Sequence, residues 1–307
     1  MIHESPPEPV FPSECIARMR RHAYTLSPIP TDQPARLTEL PAIQAVLFDV
    51  YGTLFISASG DISSTDGRVR SRALGRALEA VGVRVDEKSA EGAADVLVEA
   101  IKTTHERLKN RGVEYPEVDI RAITLEVLKY LQAGGAGGVE PDRAFCEALA
   151  VEYECRSNPT WPMPGVAETL RALQERKLSL GIISNAQFFT PLLFPAHLEE
   201  SLDMLGFDGD LCVWSYRLKE AKPSPRLFRR PLEVLSRRGV EPDQVLYVGN
   251  DRLNDIRPSA QAGMRTALFA GDSRSYRPRE GDPRVGGVRE DILLTDLRQL
   301  VDVLAID

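Results

Sequence analysis

The sequence predicts an α/β protein: a doubly wound parallel sheet, interrupted after its first strand by a block of helices. Three observations carry this expectation. From Trp161 onward, short apolar runs alternate with stretches of helical periodicity, the rhythm of a parallel sheet covered by helices. Between residues 57 and 159 apolar residues recur at helical spacing instead, with no obvious strand. The run Ala45-Val46-Leu47-Phe48 is continuously apolar, as a strand buried on both faces must be, and it ends in Asp49 and the turn around Gly52.

Each element has its own reason. Residues 1–42 form a proline-rich arm with Pro6, Pro7, Pro9, Pro12, Pro28, Pro30, Pro34 and Pro41. Within it only Ser13 to His22 reads as helix, with Ser13 as a plausible N-cap. Its Arg18, Arg20 and Arg21 are expected on an exposed helix face, and the arm is expected either to wrap the core or to pair with another subunit. Ile56 to Asp66 is polar and Gly/Ser-rich, fit for a loop. Helices follow over Arg68–Val81, Lys88–Asn110, Asp119–Leu131 and Asp142–Cys155. The second carries Ala94, Leu97, Val98 and Ile101 on one face, and the last Phe145, Leu149 and Tyr153. Gly134, Gly135, Gly137 and Gly138 separate the third helix from the fourth. The polar stretch Glu114–Asp119 faces the cleft or forms an interhelix turn.

Beyond Pro164-Gly165, a helix over Val166–Arg176 leads into a strand at Leu180–Asn185. Further strands are expected at Leu211–Ser215, Val245–Val248, Thr266–Phe269 and Ile292–Leu294. The helices between and after them are Ser224–Arg237, Asp255–Ala262 and Leu297–Leu304. Three units result: the arm, 1–42; the core, 43–56 plus 160–307; and the helical insert, 57–159.

Composition excludes several function classes. With 307 residues, 43% hydrophobic and 27% charged, the chain has ordinary globular usage. A formal net charge of -7 argues against a nucleic-acid partner gripped through its phosphates. No apolar run is long enough to span a membrane, and the N-terminus lacks the apolar core of a secretory signal. The expectation is a soluble cytoplasmic protein. Cys15, Cys146, Cys155 and Cys212 show no C-x-x-C spacing and read as free thiols of a reducing compartment. His3, His22, His105 and His197 are scattered and are read as helix or surface residues.

Four strand ends carry polar groups: Asp49; Ser184-Asn185; the Lys222 region; and Gly249-Asn250-Asp251 with Asp255. In a parallel sheet all carboxyl ends face one cleft, where such sheets bind ligands. A buried carboxylate there is costly unless paired or metal-bound, and it can act as a nucleophile. Lys222 supplies a fixed positive charge. Asp251 and Asp255, four apart, share a face if a helix begins there. With Asp49 they suit Mg2+, which takes one or two carboxylates plus water and substrate phosphate.

Asp49-Val50-Tyr51-Gly52-Thr53 resembles the first motif of the haloacid dehalogenase superfamily of hydrolases. Ile183-Ser184-Asn185 resembles the second, Lys222-Pro223 the third, and Gly249-Asn250-Asp251 with Asp255 the fourth; the likeness runs from about residue 44 to 304. It implies a Rossmann-like core, a helical cap inserted between motifs one and two, and Asp49 as nucleophile. Thr53, Ser184, Asn185 and Lys222 would steady the substrate. Mg2+ would be held by Asp49, the main-chain carbonyl of Tyr51, and Asp251 or Asn250 together with Asp255; of the two registers, Asp251 is preferred.

The chain departs from the phosphatase pattern at Tyr51, where those enzymes carry a second Asp as acid and base. An unperturbed phenol titrates near about 10 and is a poor base at neutrality. Dehalogenases resemble this chain at Tyr51, whereas the fourth motif is nearer the metal-binding version. Three functions follow. The first is a Mg2+-dependent phosphatase acting on a small phosphate ester, best with good leaving groups such as acyl or aryl phosphates. The second is a metal-free 2-haloacid dehalogenase with Arg70 or Arg72 anchoring the carboxylate. The third is a non-catalytic binding protein. A homodimer is compatible with all three.

Overall fold

The computed structural model describes residues 9, 10, 12–59, 67–136 and 141–304. Pro6, Pro7, His3, Gly137 and Gly138, and the part of the expected loop at 60–66, lie outside the described residues.

The strands are β1 (Ala45–Phe48), β2 (Phe55–Ser57), β3 (Thr160–Pro162), β4 (Ser179–Ser184), β5 (Phe207–Trp214), β6 (Val245–Gly249), β7 (Arg265–Phe269) and β8 (Ile292–Leu294). Six of them form one sheet in the order β5-β4-β1-β6-β7-β8, parallel throughout. Strand β1 lies at the centre. Ala45 pairs with Ser179 on one side and with Val245 on the other, and all four β1 residues are buried. Chain order reverses across β1, so its carboxyl end is the switch point at which such sheets open a crevice.

The expected loop at Ile56–Asp66 starts differently. Phe55–Ser57 pairs antiparallel with Thr160–Pro162, tying together the two ends of the inserted segment. Strands of three residues are too short for a periodic signal, which is why the sequence reads them as loop. The insert contains α2 (Gly67–Ala80), α3 (Glu87–Lys109), α4 (Ile120–Ala133) and α5 (Arg143–Ser157). Asp86, Asp119 and Asp142 cap the last three, their carboxylates accepting from Ser89 N at 2.8 Å, Arg121 N at 3.1 Å and Phe145 N at 2.8 Å. The four helices enclose a hydrophobic core of their own around Leu74, Leu97, Val127 and Leu149.

The insert is also pinned to the sheet. Arg121 forks onto Asp119 at 2.6–3.2 Å, and its guanidinium lies over Phe188 and Tyr216. The 115–117 segment pairs with the chain before Lys222: Glu117 N donates to Lys219 O at 3.1 Å, the Ser215 hydroxyl donates to the Glu117 carboxylate at 2.8 Å, and Ala221 N donates to Tyr115 O at 2.7 Å. After the insert come α6 (Val166–Glu175), α7 (Leu193–His197), α8 (Ser215–Leu218), α9 (Pro225–Arg237), α10 (Arg257–Gln261) and α11 (Gln299–Val303). A π-type turn over Arg252–Ile256 precedes α10.

The arm wraps the molecule. Its helix α1 (Pro12–His22) buries Cys15 and Met19 between α5 and α7. The basic cluster, expected to be a solvated face, is largely engaged. Arg18 and His22 reach Glu152 on α5 at 2.7 and 2.8 Å, and Arg20 donates to Pro195 O at 2.7 Å. Farther along, Thr31 donates to Ala270 O at 2.7 Å, Arg36 N to Leu293 O at 2.9 Å, and Leu40 N to Val303 O at 2.8 Å. All four thiols are free.

Glu152 is the joint of this packing, its side chain fully buried with Arg18, His22 and Arg156 around it. Burial works to raise its carboxyl, but the hydrogen bonds from Arg156, Arg18 and His22 outweigh it and hold the group at about 2, down from 4.5. A depressed carboxyl stabilises the fold above its unfolded value, and that stability is lost as pH falls from 4.5 towards 2. Glu152→Gln is expected to cost about 2–4 kcal/mol at pH 7 and to flatten the acid limb of stability. Urea denaturation at pH 7 and pH 3 measures both.

Candidate active site

Asp49 follows β1 directly, its N–H donating to Val248 O at 2.9 Å. The chain then turns under Val50, whose carbonyl accepts from Leu54 and Phe55 at 2.9 Å each. Gly52 makes this turn at φ +81°, and a Cβ there would lie 2.5 Å from Ser275 Cβ. Both the left-handed backbone and the close approach require glycine. The turn brings Thr53 Oγ1 within 3.3 Å of Asn250 Oδ1.

Lys222 is the centre of the site. Its Nζ lies 2.8 Å from Asp49 Oδ1 and 2.6 Å from Asp255 Oδ1, and its main-chain N–H donates to Asn185 Oδ1 at 2.7 Å. Burial works to lower the Lys222 ammonium; the Asp255 and Asp49 carboxylates beside it prevail and raise it, so it stays charged. Asp255 is fully enclosed, and burial drives its carboxyl up against the pull of Lys222. Gly249 gives Asp255 room: a Cβ there would stand 2.4 Å from Asp255 Cγ. The Tyr247 hydroxyl sits 3.3 Å from Lys222 Nζ and 3.1 Å from Asp255 Oδ1, and donates to Ile183 O at 2.9 Å. Two carboxylates share one lysine, leaving one negative charge in excess.

A cavity of about 650 Å³ opens over this floor. Asp49, Tyr51, Asn185, Lys222, Asn250, Asp251 and Asp255 line it. Thr53 and Ser184 are fully buried and do not; Ser184 Oγ is directed at Asn185 O, 3.5 Å away. Of the two candidate cap arginines, Arg70 lines the cavity and Arg72 does not. Within 114–119, Glu117 and Val118 face it, so that stretch is both a turn and part of the wall.

Tyr51 reaches towards the insert. Its hydroxyl is 3.0 Å from Thr190 Oγ1. Burial first, and the nearby Glu154 second, push the phenol well above its ordinary value, so it is a neutral group and no base. Glu154 itself stands on the cavity wall with Asn158 Nδ2 donating to it at 3.0 Å; burial pushes it up to about 7.

The fourth motif divides its polar groups. Arg279 grips Asp251 with two bonds, at 3.0 and 2.5 Å, and Asp251 Oδ1 also accepts from Leu253 N at 2.8 Å. Asn250 Nδ2 donates to Ser275 O at 2.5 Å, and its Oδ1 accepts only the long bond from Thr53 among the described contacts. Asp251 N donates to Asp255 Oδ2 at 2.9 Å. Among the described residues no three His, Cys, Asp or Glu side chains converge as a ready metal cage. The donor chemistry nonetheless fits a hard dication: carboxylate and amide oxygens at the floor, no thiol or imidazole, and excess negative charge. Arg279, Ser275 and Glu154 escape a motif reading, because two sit in the loop after β7 and the third is one of three buried acids on α5, with Glu147 and Glu152.

A parallel sheet with a carboxylate–lysine–carboxylate cluster at its switch point marks an α/β enzyme with its chemistry at the strand ends. The comparisons are more specific: residues 43–263 match the family described as haloacid dehalogenase-like hydrolase, and the chain belongs to that family of hydrolases. It is 32% identical over 230 residues to a phosphoglycolate phosphatase of Salmonella typhi, covering 74% of this chain and 81% of the relative. It is 27% identical over 265 residues to a glyceraldehyde 3-phosphate phosphatase of Methanopyrus kandleri, covering 85% and 97%. Among solved structures, a 2-haloacid dehalogenase from Pseudomonas syringae pv. Tomato DC3000 superposes with a TM-score of 0.51 at 24% identity, over 85% of this chain and 97% of that one, which speaks to the fold.

Removing Lys222 strands two buried carboxylates. Lys222→Met is expected to cost about 3–5 kcal/mol of stability, and the double variant Lys222→Met/Asp255→Asn to recover part of it. Urea denaturation of both variants at pH 7 provides the check.

Proposed function

We propose that the protein is a Mg2+-dependent phosphomonoesterase in which Asp49 is the nucleophile and leaving groups are expelled with little help from a protonated side chain. The observation that carries the reading is the clamp of Lys222 on Asp49 at 2.8 Å beneath a cavity of about 650 Å³, in a chain more than 30% identical to phosphatases.

Lys222 orients one Asp49 oxygen and leaves the other to attack phosphorus. The P–O bond to the leaving group breaks as the Asp49 O–P bond forms, and the leaving oxygen takes the electron pair. Water then attacks phosphorus, the P–O bond to Asp49 breaks, its electrons return to the carboxylate, and the water proton passes to solvent. The Asn185 amide and the Lys222 ammonium steady the phosphoryl oxygens; Thr53 and Ser184 support the turn and strand end from beneath. Mg2+ held by Asp49, the Tyr51 carbonyl and Asn250 would supply charge neutralisation at phosphorus. The fork from Arg279 makes Asn250 the readier donor than Asp251, which reverses the preference drawn from the sequence, and Asp255 serves chiefly to fix Lys222.

Tyr51 is neutral and hydrogen-bonded to Thr190, so it holds position and supplies no labile proton. Rates are therefore expected to climb steeply as the leaving group becomes more acidic. Hydrolysis of phenyl phosphates of graded acidity measures this dependence; an acidity-independent rate contradicts it. Asp49→Asn is expected to lower turnover by ~10³-fold or more, and EDTA to abolish it. A second reading, dehalogenation of 2-haloacids, draws on Tyr51 and on Arg70 at the cavity wall. Chloride release from 2-chloropropionate in EDTA, with no phosphate release from any ester in Mg2+, would replace the first reading with the second.

A further inference from the structure

The cavity has two unlike ends. Its floor is the polar cluster around Lys222. The insert's wall sets an apolar stripe, Leu97, Val98 and Ile101 on α3 with Val118 and Ile120 from the segment leading into α4, beside the polar Arg70, Glu117 and Glu154. The three α3 residues share one helix face, and Val98 is 37% exposed, an apolar side chain bared to the cavity. His105, one turn past Ile101 on the same face, also lines it, and its Nε2 is buried with no hydrogen-bond partner among the described residues. A buried polar nitrogen without a partner is costly unless a ligand completes it. Burial, then Lys109, hold this imidazole below its ordinary value, so at neutral pH it meets a neutral polar atom better than an anion.

Cavities of roughly 300–1,000 Å³ enclose ligands of drug size. A two-carbon phospho-acid, the substrate in the name of the phosphoglycolate phosphatase relatives, would leave the apolar wall and most of the 650 Å³ to water. Building on the phosphatase reading above, we propose that the substrate is a phosphate ester of an extended apolar alcohol, best a phenol. Its body lies along Leu97, Val98, Ile101, Val118 and Ile120, and a neutral polar atom at its far end bonds to His105 Nε2. A phenolic leaving group also suits a site whose Tyr51 gives no proton: the phenolate departs with the P–O electron pair and is protonated in water.

The test is a series of 4-n-alkylphenyl phosphates, from methyl to pentyl, assayed with Mg2+. Leaving-group acidity is nearly constant along the series, so the trend reads the wall alone. The expected kcat/KM gain is on the order of two- to fourfold per methylene, carried mainly by KM. A hydroxyl at the end of the longest chain is expected to add further in the wild type and to add nothing in His105→Phe. Val98→Glu, at an exposed position that folding tolerates, is expected to flatten the series; Met204→Glu, on a surface remote from the cavity residues, keeps its slope. A flat or falling series with Asp49-dependent hydrolysis intact, or an unchanged slope in Val98→Glu, overturns the assignment of the wall while the phosphatase reading stands. No Asp49-dependent hydrolysis of any ester, phosphoglycolate included, overturns both.

Discussion

The site depends on one lysine held between two acids away from water. Separating such charges from solvent costs several kcal/mol per ion unless partners are placed at bonding distance. The fold supplies that placement from four directions. Strand β1 delivers Asp49, the end of β6 drops away at Gly249 to admit Asp255, the Tyr247 hydroxyl bridges, and Asn185 fixes the main chain of Lys222. None of the four contacts survives a shift of β1 against β6, so sheet register and site geometry are a single constraint.

The arrangement also explains the asymmetry between the acids. Asp255 is the more deeply enclosed, and its second oxygen accepts from the Asp251 N–H. It belongs to the scaffold that holds Lys222 upright. Asp49 touches the same ammonium but lines the cavity. One cation thus ties an enclosed acid to one that faces the cavity.

Much of this was legible in the residues. Continuous apolar runs ending in polar groups give the parallel strands, and Asp49, Asn185, Lys222 and Asp255 converge because parallel strands share a carboxyl edge. What stayed hidden has physical reasons. The β2/β3 pair has three residues a strand, below any periodicity. Arg279 pairs with Asp251 from a loop whose path no local pattern dictates, so the fourth-motif acids looked equally free. Glu154 lies between Tyr153 and Cys155 on α5, and only the packing of α5 over the sheet turns it towards the cleft rather than the solvent. Arg18 and Arg20 read as a solvated face because their partners, Glu152 and the Pro195 carbonyl, lie more than a hundred residues away in the chain.

Helix α1 holds α5 through Glu152 and α7 through the Pro195 and Ala196 carbonyls. The roof and the floor of the cleft therefore share a strap, in addition to the β2/β3 joint where the insert leaves the sheet. Widening the entrance requires either dragging α1 off the Pro195–Ala196 carbonyls or stripping the cations from a buried carboxylate. In mechanical terms α5 and α7 are tied together by an element that lines no part of the cavity, and a chain begun at residue 43 would not possess it.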